Sequence, residues 1–201
     1  MQTRTLGQPE VRLARLARLD EPNIAPLVAF AAKLEQDVDR YVPRPDPAGG
    51  GINSRVLLLL ESPSPRIVES GVVSLDNPTR TAENLSCLLH LSGLRRTGVL
   101  LWNAVPWLLG ERVTAPTDAD LSLAAPHTLA FLALLPQLRA VVLVGKRAER
   151  GWRLVEPLLP RPLPVLNCPH PSAVNLAPRP EAAVTALGTL VEAGRLAKRE
   201  Q

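Results

Sequence analysis

Five consecutive apolar residues, Val56-Leu57-Leu58-Leu59-Leu60, end abruptly in Glu61-Ser62-Pro63-Ser64-Pro65. A strand with one face in water alternates apolar and polar residues. An unbroken run is buried on both faces, which calls for a parallel sheet covered by helices. The pattern recurs in Gly98–Val105, closed by Pro106, in Ala140–Val144, closed by Gly145, and in the shorter Leu163–Asn167. Helical periodicity fills the intervals. Ile24, Leu27, Val28, Phe30, Ala31, Leu34, Val38 and Tyr41 follow a 3.6-residue repeat over Asn23–Tyr41. Asn77 and Pro78 read as N-cap and N1 of a helix running to Leu91, with Gly93 as its stop. Further helices are read over Ala125–Leu135, starting around Pro126, from Lys146 onward, and over Glu181–Lys198. Strands alternating with helices predict an α/β protein, three layers deep, with a four-stranded parallel sheet and right-handed crossovers.

The 201 residues suffice for one core without staples. Residues 23–201 read as a single α/β domain. Residues 1–22, rich in Arg with Leu13, Leu16 and Leu19 in spacing of three, read as a helical or partly ordered N-terminal segment. Pro43 to Gly51 is a breaker-rich loop. A hydrophobic share of 46% with 21% charged residues excludes disorder over the whole chain. No apolar run approaches the roughly 18 residues of a membrane span. The opening Met1-Gln2-Thr3-Arg4 does not read as a secretion signal, so the expectation is a cytoplasmic protein. Cys87 and Cys168 are too few for a four-thiolate metal or cluster site, and no disulfide framework is indicated. The net charge is +4, and Arg supplies 20 of the 23 basic residues. That balance permits a polyanionic partner without demanding one.

In open parallel sheets ligands bind beyond the carboxyl ends of the strands. Glu61, Ser62 and Ser64 follow the first strand, Asn103 and Trp107 the second, Gly145, Lys146 and Arg147 the third. Asn167, His170, Ser172 and Asn175 follow the fourth. A carboxylate, an amide, an imidazole and several hydroxyls therefore converge on one edge. No glycine-rich phosphate loop follows any strand, which argues against nucleoside triphosphate and dinucleotide enzymes. No Gly-x-Ser-x-Gly elbow is present, which argues against the usual α/β-hydrolase.

These pieces, in this order, resemble the uracil-DNA glycosylase superfamily. Leu60-Glu61-Ser62-Pro63-Ser64 resembles its first motif, and Leu101-Trp102-Asn103 its central strand. Val141 to Ala148 resembles its third strand and Gly-Lys turn, and Cys168-Pro169-His170-Pro171-Ser172-Ala173 its final His-Pro-Ser motif. Asn84 to Arg95 is similar to the mismatch-specific uracil/thymine branch. The resemblance covers about residues 54–177. The chain departs from the pattern in several places. Ser62 stands where the main branch has its catalytic Asp, while Glu61 matches the Glu of the iron–sulfur branch, whose four cysteines are missing here. Val72-Val73-Ser74 occupies the slot of a stacking aromatic, Ser64 that of the tyrosine that excludes thymine, and Ala173 that of a proline.

The resemblance implies a DNA repair enzyme that hydrolyses the N-glycosidic bond of uracil or a related deaminated or damaged base, after flipping it from the stack. On that reading His170 donates to the departing base, Asn103 reads its edge, and Glu61, with Ser62 beside it, positions water or counters charge on the sugar. Ser64 and Val73 would line a wide base pocket, and Trp107 would stack on the base, with Trp102 given to the core. Lys146, Arg147, Ser172, Val174 and Asn175 would contact DNA, with Val174 or Leu176 as a wedge. Asp76, Asn77 and Thr79 read first as a helix cap, and His90 and His127 as structural. No cofactor or metal is implied. The expected partner is DNA, with mispaired or single-stranded substrates favoured because flipping is cheap there, and the expected state is a monomer. The alternative is a nucleic-acid-binding or base-sensing protein of the same fold without turnover. An unrelated hydrolase of a small nucleoside is a third reading.

Overall fold

The structure, a computed structural model, describes residues 3–110 and 115–198. In chain order the elements are α1 (Pro9–Leu16), α2 (Ala25–Val38), β1 (Arg44–Pro45), β2 (Val56–Leu60), α3 (Ile67–Ser70), β3 (Val72–Val73) and α4 (Arg80–Ser92). They continue with β4 (Val99–Asn103), α5 (Asp118–Ala133), β5 (Ala140–Val144), α6 (Lys146–Val155), β6 (Val165–Cys168), α7 (Ala173–Leu176) and α8 (Pro180–Lys198). Strands β4, β2, β5 and β6 form one sheet in that order, and every pairing in it is parallel. Strands β1 and β3 form a separate parallel pair. The α/β class and the four-stranded parallel sheet are those expected from the apolar runs.

Residues of odd and even number along each strand face opposite sides. Leu57, Leu59, Leu100, Trp102, Val141 and Leu143 therefore pack into one core with Leu27 and Leu34 of α2, Phe131 of α5 and Trp152 of α6. Val56, Leu58, Val99, Leu101, Val142 and Val144 pack into a second core with Leu85 and Leu89 of α4 and Leu190 of α8. Val56 through Leu59 have no accessible surface, so the run that looked doubly buried is doubly buried. Each such leucine contributes about 1.5–3 kcal/mol by leaving water.

Several boundaries differ from the sequence reading. The cap of α4 is Thr79, whose hydroxyl accepts from the Ala82 N–H; Asn77 instead donates through Nδ2 to the Val72 carbonyl at 2.9 Å. Helix α5 begins well before Pro126, at a capping box in which Thr117 and Asp120 satisfy each other's backbone N–H groups. Pro126 sits inside that helix and does not start it. The N-terminal segment is packed against the rest: Leu6 is buried and its N–H donates to the Asp76 carbonyl at 3.1 Å. Gly51 closes the Gly49–Gly51 run at a position that excludes any side chain. At φ +57 it brings its Cα so near the loop before α2 that a Cβ would lie 2.0 Å from the Asn23 carbonyl oxygen.

Candidate functional site

Strands β2 and β4 end side by side, with Leu60 in register with Asn103. Beyond them the chain turns outward, and the segments around residues 61–67 and 73–82 rise as walls. Together with His170 from the loop after β6 they enclose a cavity of about 360 Å³. That falls in the roughly 300–1,000 Å³ range of small-ligand pockets. Glu61, Ser62, Ser64, Val73, Asn103 and His170, separated by up to about 110 positions in sequence, all line it. Among the described lining residues there is no Phe, Tyr or Trp.

His170 is held on two sides. Gly145, at φ 91 and ψ 164, adopts backbone that only glycine takes readily. Its N–H donates to the Cys168 carbonyl at 2.9 Å, and an added Cβ would stand 3.0 Å from the His170 Cβ. From the other side Asn84, on α4, donates through Nδ2 to the Pro171 carbonyl at 2.8 Å. Prolines on both sides of His170 stiffen the loop further. Burial lowers the imidazole pKa from its ordinary 6.5, so near neutral pH the ring is uncharged, with one N–H to donate.

Glu61 follows the last residue of β2. Burial raises its carboxyl pKa from the ordinary 4.5, while the positive charge of Arg147, in the first turn of α6, pulls it back. Asn103 is 3% exposed and offers a donor and an acceptor from one amide. The carboxylate, the amide and the neutral imidazole thus share one cavity.

The structure does not bring every expected residue to that cavity. Trp107 has no accessible surface; its ring lies in the core that holds α5, edge-on to His127 with centroids 6.0 Å apart. This corrects the expectation that it stacks on a base, because a ring wholly enclosed by protein has no free face. Trp102 is in the core, as expected, stacked on Phe131 at 4.1 Å. Lys146, Arg147, Ser172, Val174 and Asn175 lie outside the lining, though at the same edge of the sheet, at the starts of α6 and α7. Lys146 is paired with Glu149 at 2.9 Å, and Val174 is 81% exposed. Asp76 pairs with Arg15 and Arg96, whereas Asn77 and Thr79 do line the cavity.

The sequence reading missed Arg66 and Asn84, and it put Asn77 in a helix cap first and in a pocket only second, whereas Asn77 lines the cavity. Arg66 is an exposed cation in the cavity wall, two residues beyond the first motif. Its position next to Pro65 was a signal; nothing in the sequence pointed to Asn84 reaching Pro171.

Both cysteines are free thiols, and burial pushes the Cys168 thiol up to about 12. Among the described residues no helix is long and apolar enough to cross a membrane.

Fold and site together define a parallel-sheet α/β protein whose strand ends open onto a ligand-sized cavity of mainly apolar walls carrying a few polar groups. The family model described as the Uracil DNA glycosylase superfamily matches residues 47–190, and the chain belongs to that superfamily. No curated protein matches it.

Proposed function

We propose that this protein is a DNA glycosylase that hydrolyses the bond between deoxyribose and uracil, or a related deaminated base. The carrying observation is the convergence of Glu61, Asn103 and His170 on one cavity in a member of this superfamily. The reaction needs a donor for the departing base, a reader of its edge, and a group to handle water at C1′. As the C1′–N bond lengthens, positive charge grows on the sugar and negative charge on the base. His170, held neutral by burial, donates an N–H to the base oxygen on which that charge collects. Such donors contribute about 3–4 kcal/mol in comparable oxyanion sites. Glu61 stabilises the sugar cation and takes the proton of the attacking water, whose hydroxyl bonds to C1′. The base leaves as an anion and is protonated by solvent. The Asn103 amide pairs with one N–H and one carbonyl of the base.

The cavity grips loosely. Val73 and Ser64 line it in place of rings, and base–aromatic stacking forfeited is worth about 1–3 kcal/mol. Discrimination by one methyl group is also limited to about 1–3 kcal/mol. Activity is therefore slow or broad, and fastest on mispaired or single-stranded bases, where flipping is cheap. A gel assay on uracil-containing and undamaged oligonucleotides, single-stranded, matched and mispaired, tests this. Excision fastest from mispaired or single strands is the expected result. Binding without excision would overturn it in favour of a base-sensing protein, and rapid uracil-exclusive excision from matched duplex would overturn the loose pocket.

A further inference from the structure

Beneath one wall of the cavity lies a cluster of four charges. Asp46 and Asp76 are 6% and 5% exposed. Arg15, from α1, donates to both Asp46 oxygens at 2.8 and 2.9 Å and to Asp76 at 2.8 Å. Arg96, from the turn before β4, reaches Asp46 at 2.7 Å and Asp76 at 2.8 Å. Ser74 donates to Asp46 at 2.5 Å. Each guanidinium thus bridges the same two carboxylates. Burial opposes ionisation of Asp46, but Arg96, Arg15 and the bonds from Ser74 and the Ala48 N–H more than offset it, and its pKa lies below the ordinary 3.8.

Ser74 belongs both to this cluster and to the cavity lining. Val73 and Asn77, on either side of it, also line the cavity, and Asn77 is tied back to Val72. The N-terminal segment grips the same wall at two more places. The Leu6 N–H bonds the Asp76 carbonyl, and Arg4 meets Glu83 at 2.5 Å on the first turn of α4, next to lining residues Thr81 and Ala82. Arg15 and Asp46 both precede residue 47, where the match to the superfamily begins.

Buried ion pairs add little net stability over apolar packing of the same volume, because desolvation consumes the Coulomb gain. What they do supply is geometry: a guanidinium fork accepts few arrangements of two carboxylates. We infer that residues 3–16 form a strap that positions the cavity wall at residues 73–82, with Arg15 as the main positioning residue and Arg4 as its second anchor. The strap thereby sets how a flipped base is aligned against Asn103 and His170. The alignment part rests on the excision reading above, whereas the wall-positioning part does not.

The test uses full-length Arg15→Met, Arg15→Lys and Arg4→Ala, with two readouts. Amide hydrogen exchange reports on the wall directly. Single-turnover excision at saturating enzyme, alongside affinity for undamaged DNA, reports on alignment. In Arg15→Met, exchange at residues 73–82 should quicken at least tenfold while β2 and β5 stay protected. Excision should slow about tenfold, with affinity for undamaged DNA within twofold of wild type. Arg15→Lys, which keeps the charge and loses the fork, should recover part of both. Arg4→Ala, at a half-exposed pair that leaves folding intact, should loosen residues 79–83 about threefold. Unchanged wall exchange in Arg15→Met and Arg4→Ala would overturn the strap, as would loosening spread evenly over the whole sheet. A wild type inactive on every base would overturn the excision reading, while the exchange result would still decide the strap.

Discussion

Gly145→Ala tests the seat of His170 without touching the imidazole. At φ 91 and ψ 164 the backbone lies in a region essentially reserved for glycine. Holding an L-residue there costs about 1–3 kcal/mol. The new Cβ would stand 3.0 Å from the His170 Cβ, closer than ordinary contact, so the histidine must give way by a few tenths of an ångström. Its loop is pinned by Asn84 on the far side and has little room to do so. Two effects follow. At about 2–4 °C per kcal/mol for a chain of this size, the melting temperature should fall by roughly 2–12 °C. Excision should also slow about tenfold, since a displacement of about 1 Å can cost a hundredfold and this one is smaller. Circular dichroism melts and single-turnover excision below the melting transition separate the two. In a His170→Ala background the further loss of rate on adding Gly145→Ala should vanish, because the donor is already gone, while the loss of stability should persist. A Gly145→Ala protein with native melting temperature and native rate would refute the argument.

Four further outcomes are expected. His170→Ala should lower turnover by about 10²–10³ and leave DNA affinity within twofold, since the bond it removes forms mainly in the transition state. Ionised Glu61 and neutral His170 both disappear in acid, so rate against pH should show an acid limb and then a plateau; Arg147→Ala removes the charge that lowers the Glu61 pKa and should move that limb to higher pH. Asp46 contributes stability that is present above its ordinary 3.8 and is lost as pH falls through its lower folded value; Arg15→Met removes one cause of that lowering, so acid unfolding followed by circular dichroism should begin at higher pH. Trp107→Ala should destabilise by about 3–5 kcal/mol in denaturant melts, whereas Trp107→Phe should excise bases within twofold of wild type, because the ring is core and not stacking surface.

Much of the architecture was legible in short stretches. Val56–Leu60 and Ala140–Val144 announce doubly buried parallel strands because each side chain must find an apolar partner whichever way it points. Glu61, Asn103 and His170 were legible as a group for the same reason: parallel strands in one sheet end on one side, so the polar residues that follow them meet there. The start of α5 was legible too, in Thr117 and Asp120, but Pro126 was the louder signal.

Local sequence determined which residues form strands and which polar groups stand at the sheet edge. These are properties of spacing and of backbone preference within a few residues. Only the tertiary structure decided that Trp107 is sealed in the core, that Thr79 and not Asn77 caps α4 while both line the cavity, and that Asn84 holds the Pro171 carbonyl. It alone joined Arg15 and Arg96 to Asp46 and Asp76, over as many as 61 positions. The physical reason is that burial and pairing depend on what lies across a three-dimensional gap. An Arg in an N-terminal helix looks the same in sequence whether it meets water or two buried carboxylates.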